Sequence, residues 1–296
     1  MRVVVTGGTG FIGRRLCSAL ASRGDEVTVL TRDPARRTPG LPPGVALASW
    51  DAAATAVDGA AAIVNLAGEP VAQRWTPDVK RTILASRTGA LERLRAAVER
   101  TASRPAVLVS ASAVGFFGAR GEEDLTESSP PGSDFLATTC VRWEQAARAV
   151  APLGPRVSTV RIGLVLGEDG GALAKMLPAF RLGGGGPIGN GLQWMSWVHL
   201  DDLVSLLLFA LDRADAPPVL HATAPEPVRN RDFTRALGRA LHRPAFVPAP
   251  AFALRLAFGE MATLLLDGQK VLPRETTAAG FCFRFGALPE ALAAVV

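Results

Sequence analysis

The sequence predicts an α/β fold of the Rossmann type, a doubly wound parallel sheet with a smaller C-terminal lobe over the ends of its strands. Three observations predict it. Strand-like apolar runs alternate with helical patterns through the first 165 residues. The first strand-to-helix turn carries glycines at the spacing Gly7-x-x-Gly10-x-x-Gly13. After Gly163 the alternation gives way to segments punctuated by glycine and proline.

Val3-Val4-Val5 is the first strand, and it breaks into Thr6-Gly7-Gly8-Thr9-Gly10-Phe11-Ile12-Gly13. In such a turn Gly7 takes backbone angles closed to other residues, Gly10 lets the main chain approach a pyrophosphate, and Gly13 lets the helix pack on the strand. Leu16, Leu20 and Ala21 share one face of that helix, whose N-terminus offers unpaired N–H groups to an anion. A plain tight turn is the competing reading of the glycines. Residues 26–31 alternate as a second strand that ends Leu30-Thr31-Arg32, with no carboxylate until Asp33. An NAD site usually has an acidic side chain there, whereas a hydroxyl followed by a guanidinium suits the 2′-phosphate of NADP. Arg14, Arg36 and Arg37 add positive field, unless the loop is simply arginine-rich and solvated. The expected cofactor is NADP(H). Its expected contacts are Gly7, Thr9, Gly10, Phe11, Ile12, Gly13, Thr31 and Arg32, with Leu66, Ala67, Gly68, Ser110, Ile162 and Gly163 from later strand ends.

Those later elements follow in turn. Residues 61–66 are a buried strand, and 78–100 a long amphipathic helix with Leu91, Leu94 and Val98 on one face. Residues 107–110 are a strand, 134–150 a helix and 157–162 a strand. The chain then divides into a dinucleotide-binding domain, 1–165, and a part that is mainly substrate lobe, 166–296, with 197–225 returning to the first domain. A glycine-rich loop, Gly183 to Gly191, opens the lobe ahead of Trp194.

Composition narrows the function. At 296 residues and 48% hydrophobic content the chain can bury a large core. Its net charge is +5, yet only three of the 32 basic residues are lysines and the arginines are dispersed, without a basic tail or aromatic-interleaved stripe. No nucleic-acid partner is expected. Cys17, Cys140 and Cys282 lie far apart without CxxC spacing, which points to free thiols in a reducing compartment and to no metal site. The N-terminus enters a strand directly, and the longest apolar run, Leu203 to Leu211, is too short to span a bilayer. A cytoplasmic protein with a small-molecule substrate and no membrane contact is expected; a homodimer is allowed.

Further motifs carry a resemblance. Asn65-Leu66-Ala67-Gly68-Glu69-Pro70, Ser110-Ala111-Ser112-Ala113-Val114-Gly115-Phe116-Phe117-Gly118, Arg161-Ile162-Gly163-Leu164-Val165-Leu166-Gly167, Trp197-Val198-His199-Leu200-Asp201-Asp202, Gly259-Glu260-Met261 and Ala279-Gly280-Phe281 run through the chain. With the glycine turn they make it similar, essentially end to end, to the atypical "epimerase family" branch of the extended short-chain dehydrogenases/reductases. The resemblance implies a serine, a tyrosine and a lysine four residues after the tyrosine. Ser112 falls at the serine position, but the other two fall at Leu136 and Cys140. Leucine has no titratable group and cysteine no fixed positive charge. The chain contains no tyrosine at all, and Phe116 and Phe117 stand where the branch usually has tyrosines.

Candidate catalytic groups are therefore Ser112 and His199, the latter alternatively a structural partner of Asp201 or Asp202. Leu136 and Cys140 are expected to wall the same cavity as Ser112. Glu69, Arg87, Phe116, Phe117 and Trp194 are candidate substrate contacts; each also has a plain reading, in core, salt bridge or lobe packing. Where nucleotide-sugar epimerases carry a phosphate-binding arginine, this chain has Met195, which disfavours that substrate. The leading expectation is an NADP(H)-binding oxidoreductase acting on a small carbonyl or hydroxyl compound. A non-enzymatic NADP(H) sensor and a nucleotide-sugar epimerase are the rivals.

Overall fold

The computed structural model describes residues 1–36 and 38–296. Arg37, one of the arginines expected near the phosphate, lies outside the described residues. In chain order the first half runs β1 (Arg2–Thr6), α1 (Phe11–Ser22), β2 (Glu26–Thr31), β3 (Ala46–Ser49), α2 (Ala53–Val57), β4 (Ala62–Asn65), α3 (Pro77–Glu99), β5 (Val107–Ala113), the short β6 (Asp124–Leu125), α4 (Phe135–Arg148) and β7 (Arg156–Ile162). Then come β8 (Leu164–Leu166), α5 (Gly171–Arg181), β9 (Trp194–Met195), β10 (Trp197–His199), α6 (Leu200–Asp212) and β11 (Val219–Ala222). The chain closes with β12 (Val228–Arg229), α7 (Asn230–Ala240), α8 (Ala251–Phe258), α9 (Thr263–Leu266), β13 (Lys270–Val271), α10 (Arg274–Ala278) and α11 (Leu288–Ala293).

Seven strands form one parallel sheet in the order β11-β7-β5-β4-β1-β2-β3. The order reverses between β1 and β4, and the crevice at their carboxyl ends is where such sheets bind ligands. Helices α1 and α6 pack side by side, as do α2, α3 and α4. Their apolar stripes meet the continuous hydrophobic strands in one core built on Val3, Val4, Val5, Leu16, Leu20, Ile63, Leu91, Leu94, Val98, Leu108 and Leu206. A second cluster holds the lobe together, with Leu173, Leu177, Phe180, Trp197, Phe233, Leu237 and Leu292 at its centre. Because α6 packs on the large sheet and β11 adds its edge strand, the chain leaves the sheet after β7 and comes back before entering the lobe for good.

Local chemistry sets the helix starts that matter for the site. Thr76 caps α3 by accepting from the Val79 N–H at 3.3 Å, with Pro77 in the first turn. Asp134 caps α4 by accepting from the Ala137 N–H at 2.8 Å. Ser196 separates β9 from β10, and its hydroxyl donates to the Gln269 carbonyl at 2.7 Å and accepts from the Val271 N–H at 2.9 Å. That exchange of partners stitches the lobe to the strand ends.

Candidate functional site

The glycine turn is shaped by close approach. Gly7 has φ +69°, and a Cβ there would lie 2.6 Å from the Leu66 carbonyl oxygen. A Cβ on Gly13 would lie 2.2 Å from the Gly7 oxygen, so only hydrogen lets α1 start against the turn. Gly10 differs: its Cβ direction meets nothing nearer than the Gly7 oxygen at 3.3 Å, so that side of the turn faces the open crevice. No side chain caps α1 and its first turn holds no acidic residue. Its leading N–H groups, from Phe11, Ile12 and Gly13, are left for an anion. This chemistry fits a dinucleotide pyrophosphate.

At the tip of β2, Asp33 is turned back into its own loop. Its carboxylate accepts from the N–H groups of Ala35 and Arg36, both at 3.2 Å, and its own N–H reaches the Thr31 hydroxyl at 3.5 Å. The acidic group is thereby spent locally, while Arg32 stays exposed beside Thr31. The Arg14 side chain lies against Gly40 on the neighbouring loop, 3.2 Å from where a Cβ would be.

Under the crevice runs a buried polar ladder that the sequence reading missed. The Thr6 hydroxyl donates to Asn65 Oδ1 at 2.7 Å, and Asn65 Nδ2 donates to the Ser110 hydroxyl at 3.1 Å. Parallel register places Thr6 beside Asn65 and Asn65 beside Ser110. The available signal was one polar residue late in each of three apolar runs. Ser110 was expected to contact the cofactor directly, which is corrected here: its side chain is fully buried and its hydroxyl is held inside the ladder. It fixes the crevice floor. Leu66, Ala67 and Gly68 leave β4 above that floor, and the Glu69 N–H is fastened to the Ser86 hydroxyl on α3 at 3.0 Å. Ile162 and Gly163 end β7, where a Cβ on Gly163 would strike the Ser196 carbonyl oxygen at 2.3 Å.

Ser112 lies deeper than expected. It is 2% exposed and its Oγ donates to Glu144 Oε1 at 2.9 Å. The same carboxylate receives Arg161 Nε at 2.8 Å and Nη2 at 3.1 Å, while Arg161 Nη1 donates to the Glu127 carbonyl at 3.1 Å. Register sets Ser112 beside Arg161 on the neighbouring strand. The Arg161 guanidinium also lies over Phe116, 3.5 Å from the ring centre. Phe117 is fully buried, edge-on to Phe116 and to His221. Its expected substrate contact gives way to a core role, and Phe116 is almost as buried.

Leu136 and Cys140 fall in separate apolar clusters, and of the two it is Cys140 that lies within reach of the Ser112 hydroxyl. Leu136 packs with Trp75, Ile83, Met261 and Phe135, whereas Cys140 sits among Phe116, Phe117, Leu125 and Val271. Burial pushes the Cys140 thiol up to about 12, so it remains protonated.

His199 belongs to another neighbourhood. Its Nδ1 accepts from the Asp201 N–H at 3.1 Å and so caps α6, and its ring lies 3.8 Å from that of Phe285. It lines a cavity of about 400 Å³ with Phe11, Arg15, Gly167 and Asp169, and Ser112 is not part of that lining. Burial holds its pKa below the ordinary value, which keeps the ring neutral. Trp194 is gripped between cations, 3.9 Å from Arg229 and 5.1 Å from Lys270, and its indole donates to Glu122 at 3.2 Å. Met195 pairs with Val228 in β9–β12 and accepts from Asn230 Nδ2 at its sulfur, 3.3 Å away. Among the described residues no group of His, Cys, Asp and Glu is arranged for a metal, and no helix is long and apolar enough to cross a membrane.

A glycine cradle at the switch point of a parallel sheet, roofed by a lobe that the chain builds from its last third, is the design of the extended short-chain dehydrogenases/reductases. The chain belongs to the NAD dependent epimerase/dehydratase family, whose model matches residues 3–222. Residues 249–295 match a second model, described only as a domain of unknown function (DUF1731). The chain is 43% identical to the Arabidopsis thaliana "Epimerase family protein SDR39U1 homolog, chloroplastic", over 100% of this chain and 87% of that one. It superposes with a TM-score of 0.92 on human epimerase family protein SDR39U1 (isoform 2), crystallised with NADPH, at 38% identity and covering 100% and 99% of the two chains. The structure of MoeE5 with UDP-glucose and NAD, at 20% identity and a TM-score of 0.78 over 99% and 96%, shares the fold alone.

Proposed function

We propose that this chain binds NADP(H) in the β1/β4 crevice and transfers hydride to or from a small carbonyl or hydroxyl compound held under the lobe. The observation that carries the reading is the pairing of an open glycine cradle with an exposed Arg32 beside an Asp33 that is committed to its own loop. NADPH in the crystallised human relative supports the same cofactor. In this reading Phe11, Ile12 and Gly13 offer N–H groups to the pyrophosphate, Thr31 and Arg32 take the 2′-phosphate, and the Thr6–Asn65–Ser110 ladder keeps the floor rigid. The nicotinamide, when bound, supplies or accepts the hydride. The Ser112 proton is committed to Glu144, so Ser112 acts as a positioning residue, and the alkoxide takes its proton from water.

Free thiols at Cys17, Cys140 and Cys282 support a reducing compartment, the cytoplasm in this proposal. Titration of tryptophan fluorescence with NADPH and NADH tests the cofactor assignment. A charge-assisted contact to phosphate contributes roughly 1.5–3 kcal/mol, so NADPH should bind about tenfold tighter or better. Arg32→Ala should erase most of that preference. Equal affinities in the wild type, or undiminished selectivity in the variant, would sink the assignment. NADPH oxidation across a panel of carbonyl compounds then separates an enzyme from a sensor.

A further inference from the structure

Arg87 stands in an unexpected place. Arg32 marks the β2 side of the crevice as the adenosine half, so the other half of a dinucleotide runs over the ends of β4, β5 and β7. Gly68 leaves β4 on that side. A Cβ built there would lie 3.1 Å from Arg87 Cζ and 3.3 Å from Nη2, so the guanidinium rests directly against this backbone. The group is held from behind. Nη1 donates to the Ile83 carbonyl one turn back on α3 at 2.9 Å, and Cζ lies 5.0 Å from the ring centre of Trp143 on α4. Its electrostatic neighbours are Glu69 and Cys140; neither is bonded to it, and the thiol is neutral. A half-buried guanidinium with Nε and Nη2 uncommitted, and no carboxylate paired to it among the described residues, is a site for oxygen acceptors.

We propose that Arg87 holds the nicotinamide half of NADP(H), donating from Nε or Nη2 to the ribose and phosphate oxygens of that half. The cation thus arrives from α3, where α4 offers only Cys140. The proposal rests on the cofactor reading above and assigns a residue within it. Gly68 fits the same picture, because a Cβ there would press on the guanidinium and shift it by a few tenths of an ångström.

The test compares two ligands on the full chain: NADPH, and 2′,5′-ADP, which has the adenosine half and no nicotinamide half. Arg87→Met should weaken NADPH about tenfold and leave 2′,5′-ADP within about twofold. Arg87→Gln, which can keep the bond to Ile83 without the charge, should behave the same way, and Arg87→Lys should recover most of the lost affinity. Retained binding of 2′,5′-ADP is itself the control for folding. Wild-type NADPH affinity in the Met and Gln variants, or equal proportional loss of both ligands, would overturn the assignment. If the wild-type chain binds neither ligand, the cofactor reading fails and this one with it. If the wild type binds both and only the Arg87 result fails, the cofactor reading stands.

Discussion

Glu144 shows how one side chain can decide what its neighbours are available to do. Its carboxylate is fully buried and takes Arg161 in a two-pronged contact as well as the Ser112 hydroxyl. An ion pair of this kind contributes little over a well-packed apolar pair, but removing one partner strands the other without water. Glu144→Ala should therefore cost about 3–5 kcal/mol in urea unfolding, and Arg161→Met added to it should cost much less than its own single effect. Additive losses would mean that the two charges are not coupled. The role of this glutamate was not legible in the sequence. Glu144 lies on an amphipathic helix and Arg161 within an apolar strand, 17 positions apart, and only the β5–β7 register brings them together at Ser112. The glycine turn, by contrast, is a local device whose chemistry sits within consecutive residues, and for that reason it could be read directly.

At the level of elements, α3 and α4 share the task that one helix performs in the ordinary reductases. The turn around Cys140 faces inward against Phe116, Phe117 and Leu125, whereas the turn around Ile83 to Arg87 faces the crevice wall. Cys140→Lys would therefore set an ammonium in an apolar site and beside an existing guanidinium. It should destabilise the fold by several kcal/mol. The same substitution in an Arg87→Met background should cost about 1 kcal/mol less, the difference being the like-charge repulsion. A double-mutant cycle in urea reads this directly, and zero coupling would separate the two positions in space. Strong periodicity made α3, α4 and the buried strands legible. The four residues of β3 were not, because Ala46-Leu47-Ala48-Ser49 carries little β propensity and draws its strand from pairing with β2. Likewise, the inward turn of Cys140 depends on how α4 is rotated against the sheet, which an apolar–polar pattern fixes only to within a residue.

The molecule as a whole depends on straps between sheet and lobe. β13 pairs with β6, Lys270 meets Asp124 at 2.6 Å, and Lys80 on α3 binds Glu260 ahead of α9. The buried strap responds to pH. Glu127 accepts from the N–H groups of Glu275 and Thr276 at the start of α10, both at 3.1 Å, and lies 3.8 Å from His221 on the edge strand of the large sheet. His221 Nδ1 faces the Leu272 carbonyl at 3.0 Å, which makes it the protonated nitrogen, and Nε2 is buried with no partner against Phe117. Arg161 and Glu144 add opposing fields from β7 and α4. Burial outweighs the attraction of Glu127 and pulls His221 from its ordinary 6.5 down to about 4. Below pH 6.5 the unfolded chain takes up this proton while the folded one does not. Stability is thus complete above that pH and is lost progressively as the pH falls toward 4. Between pH 7 and pH 5 the loss from this residue should be about 2 kcal/mol. His221→Gln keeps a donor for Leu272 and cannot titrate, so its urea stability should fall by about 2 kcal/mol less than that of the wild type over the same interval, the remaining decline including that of His199, whose pKa burial also lowers. An equal decline in both proteins would place the acid sensitivity elsewhere and leave this strap indifferent to protons.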